Sequence, residues 1–188
     1  GRDAAVIPMP LPPISTAKLR GLRVAWYSDG GISPVDAATQ AALQSAVDIL
    51  QKAGAVIHSA FPAALANSRA ITERYWAISK GSGAEFVQLL ADWDQFRSSM
   101  LGFMEGYDII LCPVDAAPAP RLGDARPDLF SHTLPYSLAG WPCVVIRAGT
   151  CDLGLPVGIQ IVARPWHEHV ALAAATAIEE ALPFHALI

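Results

Sequence analysis

The chain alternates between short, continuous apolar runs and longer stretches in which apolar residues recur every three or four positions. The first pattern is typical of buried strands and the second of amphipathic helices. The alternation predicts an α/β domain in which helices cover the faces of a sheet. Strands are predicted at 22–27, 55–60, 108–114, 141–147 and 156–163, and helices at 35–53, 62–80, 84–105 and 167–182.

The strand–helix–strand unit at 22–60 has the clearest local signals. Ser33 and Pro34 are predicted as the N-cap and the first helical residue, and Gly54 as the residue that ends the helix. Such a unit is long enough for a right-handed crossover between parallel strands. The last two strands, joined by a turn at 149–154, are instead predicted to form a hairpin.

The middle of the chain combines a helix, a strand and a long loop. The strand at 108–114 is apolar throughout and is therefore predicted to be central and buried on both faces. The loop at 116–130, rich in proline, is expected to form part of a site wall. The helix at 84–105 is predicted to bury a stripe made of Phe86, Leu89, Leu90, Trp93, Phe96, Met100, Leu101 and Met104.

Composition narrows the class of protein. Apolar residues make up 53% and charged residues 16% of the chain, yet no run reaches the roughly 18 to 20 apolar residues of a membrane-spanning helix. The apolar excess favours a domain with one face packed against more protein. The net charge is -4, and the Lys and Arg residues are scattered singly rather than clustered, which argues against nucleic acid as a partner. Three cysteines without a C-x-x-C pair suggest a reducing compartment, the cytoplasm.

Residues for nucleophilic hydrolysis are not evident. A G-x-S-x-G motif is lacking, and Ser98 and Ser99 lie inside a predicted helix, where we expect ordinary surface residues. Lys18, Lys52 and Lys80 are expected to be surface charges rather than buried bases.

Metal, nucleotide and other cofactor sites are not expected either. His167 and His169 are two positions apart on a predicted helix and would point to opposite sides, which disfavours a shared metal ion. The turn at 28–31 could cradle a phosphate, but the dinucleotide fingerprint is absent, and a tight turn in a crossover is favoured over a nucleotide-binding module.

Three polar residues, Asp115, His132 and Tyr136, follow the central strands and are the best candidates to face a cleft beyond the strand ends. The alternative is that His132 is a hydrogen-bonded structural residue beside a proline turn. Tyr136 could likewise pack its ring in the core with its hydroxyl in water.

Residues 1–20 are predicted to be a proline-rich segment that leads into a single domain at 21–188. Prolines 8, 10, 12 and 13 favour an extended, non-helical backbone, as in a linker. Since the first residue is Gly1 and no secretion signal is present, we expect more protein upstream.

Five ordered segments, taken together, resemble the C-terminal half of the amidase signature family, over about 22–182. They read Gly-Leu-Arg-Val-Ala-Trp (21–26), Ala-Gly-Ala-Val (53–56), Tyr-Asp-Ile-Ile-Leu-Cys-Pro (107–113), Leu-Ala-Gly-Trp-Pro (138–142) and Leu-Pro-Val-Gly-Ile-Gln (155–160), with Glu179 in the last helix.

The resemblance implies a mixed β-sheet flanked by helices and hydrolysis of carboxylic amide C–N bonds. It also implies that the family's nucleophilic Ser, cis-Ser and Lys lie in the other half, so that no catalytic residue is expected in this chain and it should be inactive alone. Asp115, His132, Tyr136 and Trp141 are the implied substrate-pocket residues.

The implied partners are the N-terminal half of the same enzyme and a small amide substrate, with a homo-oligomer left open. A non-catalytic binding or scaffold domain derived from an amidase is the alternative.

Overall fold

The computed structural model describes residues 9–124, 126 and 129–183. Five strands form one mixed sheet in the order β2-β1-β3-β5-β4. β1 lies parallel to β2 and β3, whereas β5 lies antiparallel to β3 and β4. The predicted crossover and hairpin are both confirmed, and β3 is central as expected. The strands are β1 (Arg23–Trp26), β2 (Val56–Ser59), β3 (Ile109–Pro113), β4 (Cys143–Thr150) and β5 (Pro156–Ala163).

Helices cover both faces of the sheet, so that the described chain has three layers. One face packs against α1 and α5, and the other against α2, α3 and α4. Short 3-10 helices lie at Ile14–Thr16, Ala63–Asn67 and Ile78–Lys80. The α-helices are α1 (Ala37–Lys52), α2 (Ser68–Ala77), α3 (Gly83–Phe103), α4 (Leu134–Ala139) and α5 (Glu168–Ala181).

β3 shows why the sheet is buried on both sides. All five of its residues are buried, and successive side chains point to opposite faces of a strand. Ile109 and Leu111 belong to the core under α1 and α5, whereas Ile110 and Cys112 belong to the core under α2, α3 and α4. A continuous apolar run is therefore the pattern that a central strand requires.

α1 begins later than the sequence signals indicated. Its N-cap is Asp36, whose carboxylate accepts a 2.7 Å hydrogen bond from the backbone N–H of Thr39. A carboxylate that accepts from the first turn satisfies an amide without an intrahelical partner. The prediction of Ser33 as the N-cap was therefore wrong by three residues.

α3 is far more exposed than its predicted stripe implied. Leu89, Phe96 and Met100 are buried as expected, but Phe86, Leu90 and Leu101 are each more than 40% exposed. The helix presents apolar residues on several sides, and only one side meets the sheet. The prediction that all eight residues form one buried stripe was wrong for these three.

The proline-rich segment is only partly described, since residues 1–8 lie outside the described residues. Pro12 and Pro13 are followed by a single 3-10 turn, Ile14–Thr16, which the prediction of a wholly extended segment missed. None of the helices in the described part of the chain is long and apolar enough to cross a membrane.

Candidate functional site

A cavity of about 410 Å³ opens beyond the ends of the central strands. β3 ends here, and β5, which runs the other way, begins here with Pro156, Val157 and Gly158. The first turn of α1 and the residues before α4 complete the wall. Because strand ends and helix starts meet at this edge, it is where an α/β sheet ordinarily binds its ligand.

Asp115 is the predicted site residue that lines this cavity. It follows β3 directly, and its carboxylate forms an ion pair with the guanidinium of Arg126. Arg126 also donates a 3.2 Å hydrogen bond to the carbonyl of Pro118. The pair therefore fixes the path of the loop after β3 and balances the charge of Asp115.

Gln160 organises the wall from inside the sheet. Its side chain is buried, and its amide nitrogen donates to the carbonyl of Pro113 at 2.7 Å and to that of His132 at 2.8 Å. One side chain on β5 thus ties the end of β3 to the segment before α4. Gln160 was not among the predicted site residues, although one amide inside an otherwise apolar strand is a signal that it has a partner.

Tyr136 lies behind the wall and is almost fully buried. Its hydroxyl lies 2.8 Å from that of Tyr27, and the thiol of Cys112 contacts it at 3.7 Å. Burial raises the pKa of both tyrosines well above the ordinary value, and it raises the pKa of Cys112 to about 12. All three groups therefore stay neutral at physiological pH and serve packing and hydrogen bonding rather than proton transfer.

His132 and Trp141 are also buried, with 1% and 7% of their surfaces exposed. Only Asp115 among the four predicted pocket residues lines the described cavity. Trp141 lies towards the opposite end of β3, since the next residue, Pro142, bonds to Ala163, which pairs with Ile109. The hydroxyl groups in the described lining come from Thr39 and Thr133. That of Thr133 donates to the carbonyl of Phe130 at 2.9 Å.

A second cavity, of about 520 Å³, lies between the 3-10 helix Ala63–Asn67 and helices α2 and α3. An ion pair between Arg74 and Asp92, 2.5 Å long, joins the two helices along it. All its lining residues come from helix surfaces, with several alanines and no strand end. We therefore place the candidate site at the strand-end cavity.

The turn at 28–31 has the structural role expected of it. The carboxylate of Asp29 accepts a hydrogen bond from the N–H of Gly31, and the carbonyl of Asp29 accepts one from Ile32. Gly30 has a φ of +57°, and a Cβ there would lie 2.7 Å from the ring of Tyr27. Close packing against Tyr27 therefore explains a glycine without any phosphate ligand.

His167 and His169 do not point to opposite sides. Their rings stack with centroids 5.9 Å apart, because His167 is the N-cap of α5 and has non-helical backbone angles. The geometric premise of the prediction was therefore wrong. The described residues contain no group of three or more side chains placed to hold a metal ion.

Comparison with protein families adds an independent observation. Residues 84–172 match the family model described as Amidase. This stretch runs from α3 into α5 and contains the ion pair of Asp115, Gln160 and the whole β4–β5 hairpin. A glutamyl-tRNA(Gln) amidotransferase subunit of Geobacter metallireducens is 38% identical over 87 residues, which are 43% of this chain and 18% of the relative.

One further curated relative and two solved structures are also similar to this chain. A putative amidase of Synechocystis is 28% identical over 115 residues, 55% of this chain and 23% of that protein. A solved 6-aminohexanoate cyclic dimer hydrolase superposes with a TM-score of 0.81 at 20% identity, over 98% of this chain and 51% of its own. The glutamyl-tRNA(Gln) amidotransferase subunit from Thermotoga maritima gives a TM-score of 0.83 at 18% identity and 48% coverage of its chain. The superpositions show the fold, and this chain spans about half the length of those structures.

Proposed function

Since this chain belongs to the amidase signature family, we propose that it is the C-terminal portion of a hydrolase acting on carboxylic amide C–N bonds. The observation that carries the proposal is the family match at 84–172, which includes every lining residue of the strand-end cavity except Thr39. Two relatives, a cyclic dimer hydrolase and a glutamyl-tRNA(Gln) amidotransferase, differ in what their names say they act on. The proposal is therefore limited to small amides as a class.

The chain's share of the work is to form one wall of the substrate pocket. Asp115, held by Arg126, lines that wall. We assign His132 and Tyr136 to the support of the wall, since Gln160 ties His132 to the end of β3 and Tyr136 contacts Cys112 in β3. Trp141 is assigned to the core that packs α4 against the sheet.

The nucleophile and base are supplied by the remaining part of the enzyme, and this chain is inactive alone. Ser98 and Ser99 support this, because both lie exposed on α3 and the hydroxyl of Ser99 donates to the carbonyl of Gln95. Neither has the sharp strand-to-helix turn that exposes a nucleophile. Lys18, Lys52 and Lys80 are exposed, so none lies in a buried pocket beside a nucleophile.

The enzyme works in the cytoplasm. The three cysteines, Cys112, Cys143 and Cys151, are free thiols, as a reducing compartment favours. Its partner is the N-terminal half of the same enzyme, whether in the same polypeptide or as a separate chain.

The decisive experiment is the intact mass of the native gene product, followed by an amide-hydrolysis assay on that product with small aliphatic and aromatic amides. We expect a mass well above 19.9 kDa and release of ammonia or amine. A product of 19.9 kDa that binds amides without turnover would instead support a non-catalytic binding domain.

The wall itself is tested by Asp115→Asn in the whole protein. We expect a rise in KM of about tenfold because the partner of Arg126 loses its charge. Asp124→Asn is the matched control, since Asp124 lies exposed on the same loop. Equal KM values for both variants would remove Asp115 from the wall.

A further inference from the structure

Phe130 has a backbone conformation that its side chain disfavours. Its φ is +78°, and in the part of the chain that the structure describes, Trp166 is the only other residue besides glycine with a positive φ. A left-handed backbone is uncommon for a residue with a Cβ and is an outlier for a bulky one. Residues held in such conformations cluster at active sites and ligand clamps. The strain at Phe130 therefore needs a reason in either folding or ligand binding.

The start of α4 holds this backbone in place. The carbonyl of Phe130 accepts hydrogen bonds from the N–H groups of Thr133 and Leu134, both at 3.0 Å, and from the hydroxyl of Thr133 at 2.9 Å. The buried amide of Gln160 holds the carbonyl of His132 in the same segment. Any residue at position 130 would supply the same carbonyl, and glycine would do so without strain. The bonds explain the backbone but not the choice of phenylalanine.

Packing in the core does not explain the phenylalanine either. Phe130 is 62% exposed, whereas Phe96 of α3 is 3% exposed. Phe130 belongs to neither of the two hydrophobic clusters that cover the faces of the sheet. Its ring therefore contributes to neither the backbone conformation nor the core, and it is available to contact a ligand.

Phe130 lies between two cavities. Leu129 and Phe130 line the strand-end cavity of about 410 Å³, and the same two residues line a smaller cavity of about 80 Å³. The smaller cavity lies between α2 and the first residue of α4, Leu134. No other described lining residue is common to the two cavities. Leu129 and Phe130 therefore form a partition between them.

The smaller cavity suits an apolar group. Trp76 and Leu134 supply apolar surface to it. Its two charged lining residues, Arg69 and Glu73, form an ion pair with each other at 2.8 Å and so balance each other's charge. A third cavity, of about 130 Å³, shares three lining residues with the smaller one, so that more space lies behind the partition.

We propose that Phe130 is a specificity-determining residue of the amidase, whose ring closes the strand-end cavity on the side of α2 and limits the length of the substrate's apolar chain. The proposal rests on the proposed function and deepens it by naming the substrate class, amides with a short apolar chain. Such a chain gains from contact with the aromatic ring. A longer chain would have to enter the space that the ring occupies.

The test is amide hydrolysis by the protein purified from its native gene. The substrates are straight-chain carboxamides from acetamide to decanamide, and release of ammonia is measured. We expect kcat/KM to fall once the chain is too long for the strand-end cavity. Phe130→Ala removes the ring and should raise kcat/KM for long amides relative to short ones by about tenfold or more, which is what a methylene group in an apolar pocket contributes.

Two further variants separate the ring from other effects. Phe130→Gly removes the strain as well as the ring, so it should accept long chains as Phe130→Ala does but unfold at a higher urea concentration. Phe86→Ala is the matched control, because Phe86 is a 44% exposed phenylalanine on α3 that lines neither cavity. We expect it to leave the chain-length preference unchanged.

The remaining outcomes also decide. An unchanged chain-length preference in both Phe130 variants would overturn the proposal and leave amide hydrolysis standing. If the natural protein hydrolyses no small amide, binding of the same series is measured by calorimetry. A preference that shifts with Phe130→Ala would then keep the partition and remove the function, whereas binding without a shift, or no binding, would remove both.

Discussion

The hydroxyl of Tyr27 lies 2.8 Å from the hydroxyl of Tyr136, although the two residues are 109 positions apart. Tyr27 follows β1 and Tyr136 lies in α4, so the contact joins the sheet to the helix behind the cavity wall. Both side chains are buried. A buried hydroxyl pair is favourable only while both members are present, because neither can turn to water.

Tyr136→Phe should lower the free energy of unfolding. The substitution keeps the ring but leaves the hydroxyl of Tyr27 without this partner, which costs about 1–3 kcal/mol for a buried polar group. Urea unfolding followed by tryptophan fluorescence measures the change. The matched control is Tyr75→Phe, since Tyr75 is 48% exposed, and we expect it to change stability by less than about 0.5 kcal/mol.

The double variant Tyr27→Phe with Tyr136→Phe tests the cause. Removing both hydroxyls leaves neither hydroxyl without its partner, so the double variant should lose less stability than the sum of the single variants. Strict additivity would show that the hydroxyl contact contributes nothing of its own.

Gln160→Met should loosen the segment before α4. The side chain keeps its length but stops donating to the carbonyls of Pro113 and His132. Two buried acceptors then lose a donor, and we expect a loss of about 2–4 kcal/mol together with faster amide exchange at 129–133. Gln95→Met on the exposed side of α3 is the control. A stable Gln160→Met protein with unchanged exchange would show that the bonds are dispensable.

The sheet was predictable from the sequence because its strands are continuous apolar runs, and β5 was predicted with its observed limits. The buried face of α3 was not predictable in the same way. Phe86, Leu89 and Leu90 are apolar neighbours on a helix, and the periodicity alone does not say which of them meets the sheet. Only Leu89 does.

The position of the cavity at one edge of the sheet was predictable, but its function as a site stays a proposal. Asp115 could be placed there because it directly follows β3. Arg126 and Gln160 could not, because their partners lie 11 and 28 or more positions away and depend on how the loop folds. Contacts of this kind come from tertiary packing, which leaves little trace in local pattern.

The ion pair of Arg23 and Asp108 predicts an acid-sensitive contribution to stability. Burial pushes the pKa of Asp108 up, but hydrogen bonds from the side chain and backbone of Arg23 outweigh it and hold the pKa below its usual value. A lowered folded-state pKa means that the stabilisation is fully present above the unfolded value, about 3.9, and is lost as the pH falls through the folded-state pKa.

Asp108→Asn should therefore be less stable than the natural chain at pH 7, with the difference shrinking below about pH 4. Urea midpoints at pH 7, 5, 4 and 3 measure it. Asp94→Asn is a suitable control because its side chain is 79% exposed and its carboxylate lies 3.8 Å from Arg97. A gap that stays constant down to pH 3 would show that Asn disturbs packing rather than charge.

The 188-residue chain produced alone should self-associate or bind a hydrophobic dye such as ANS. Apolar side chains are exposed on α3 and β4, where Val87 is 66% and Val145 54% exposed, and Trp76 on α2 is 68% exposed. Surface of this kind normally marks a contact that another protein segment covers. Replacing Val87 and Leu90 by Gln should lower dye fluorescence, whereas Ser98→Gln on the same helix should not. A monodisperse monomer that binds no dye would contradict the proposal that another protein segment covers these exposed apolar residues.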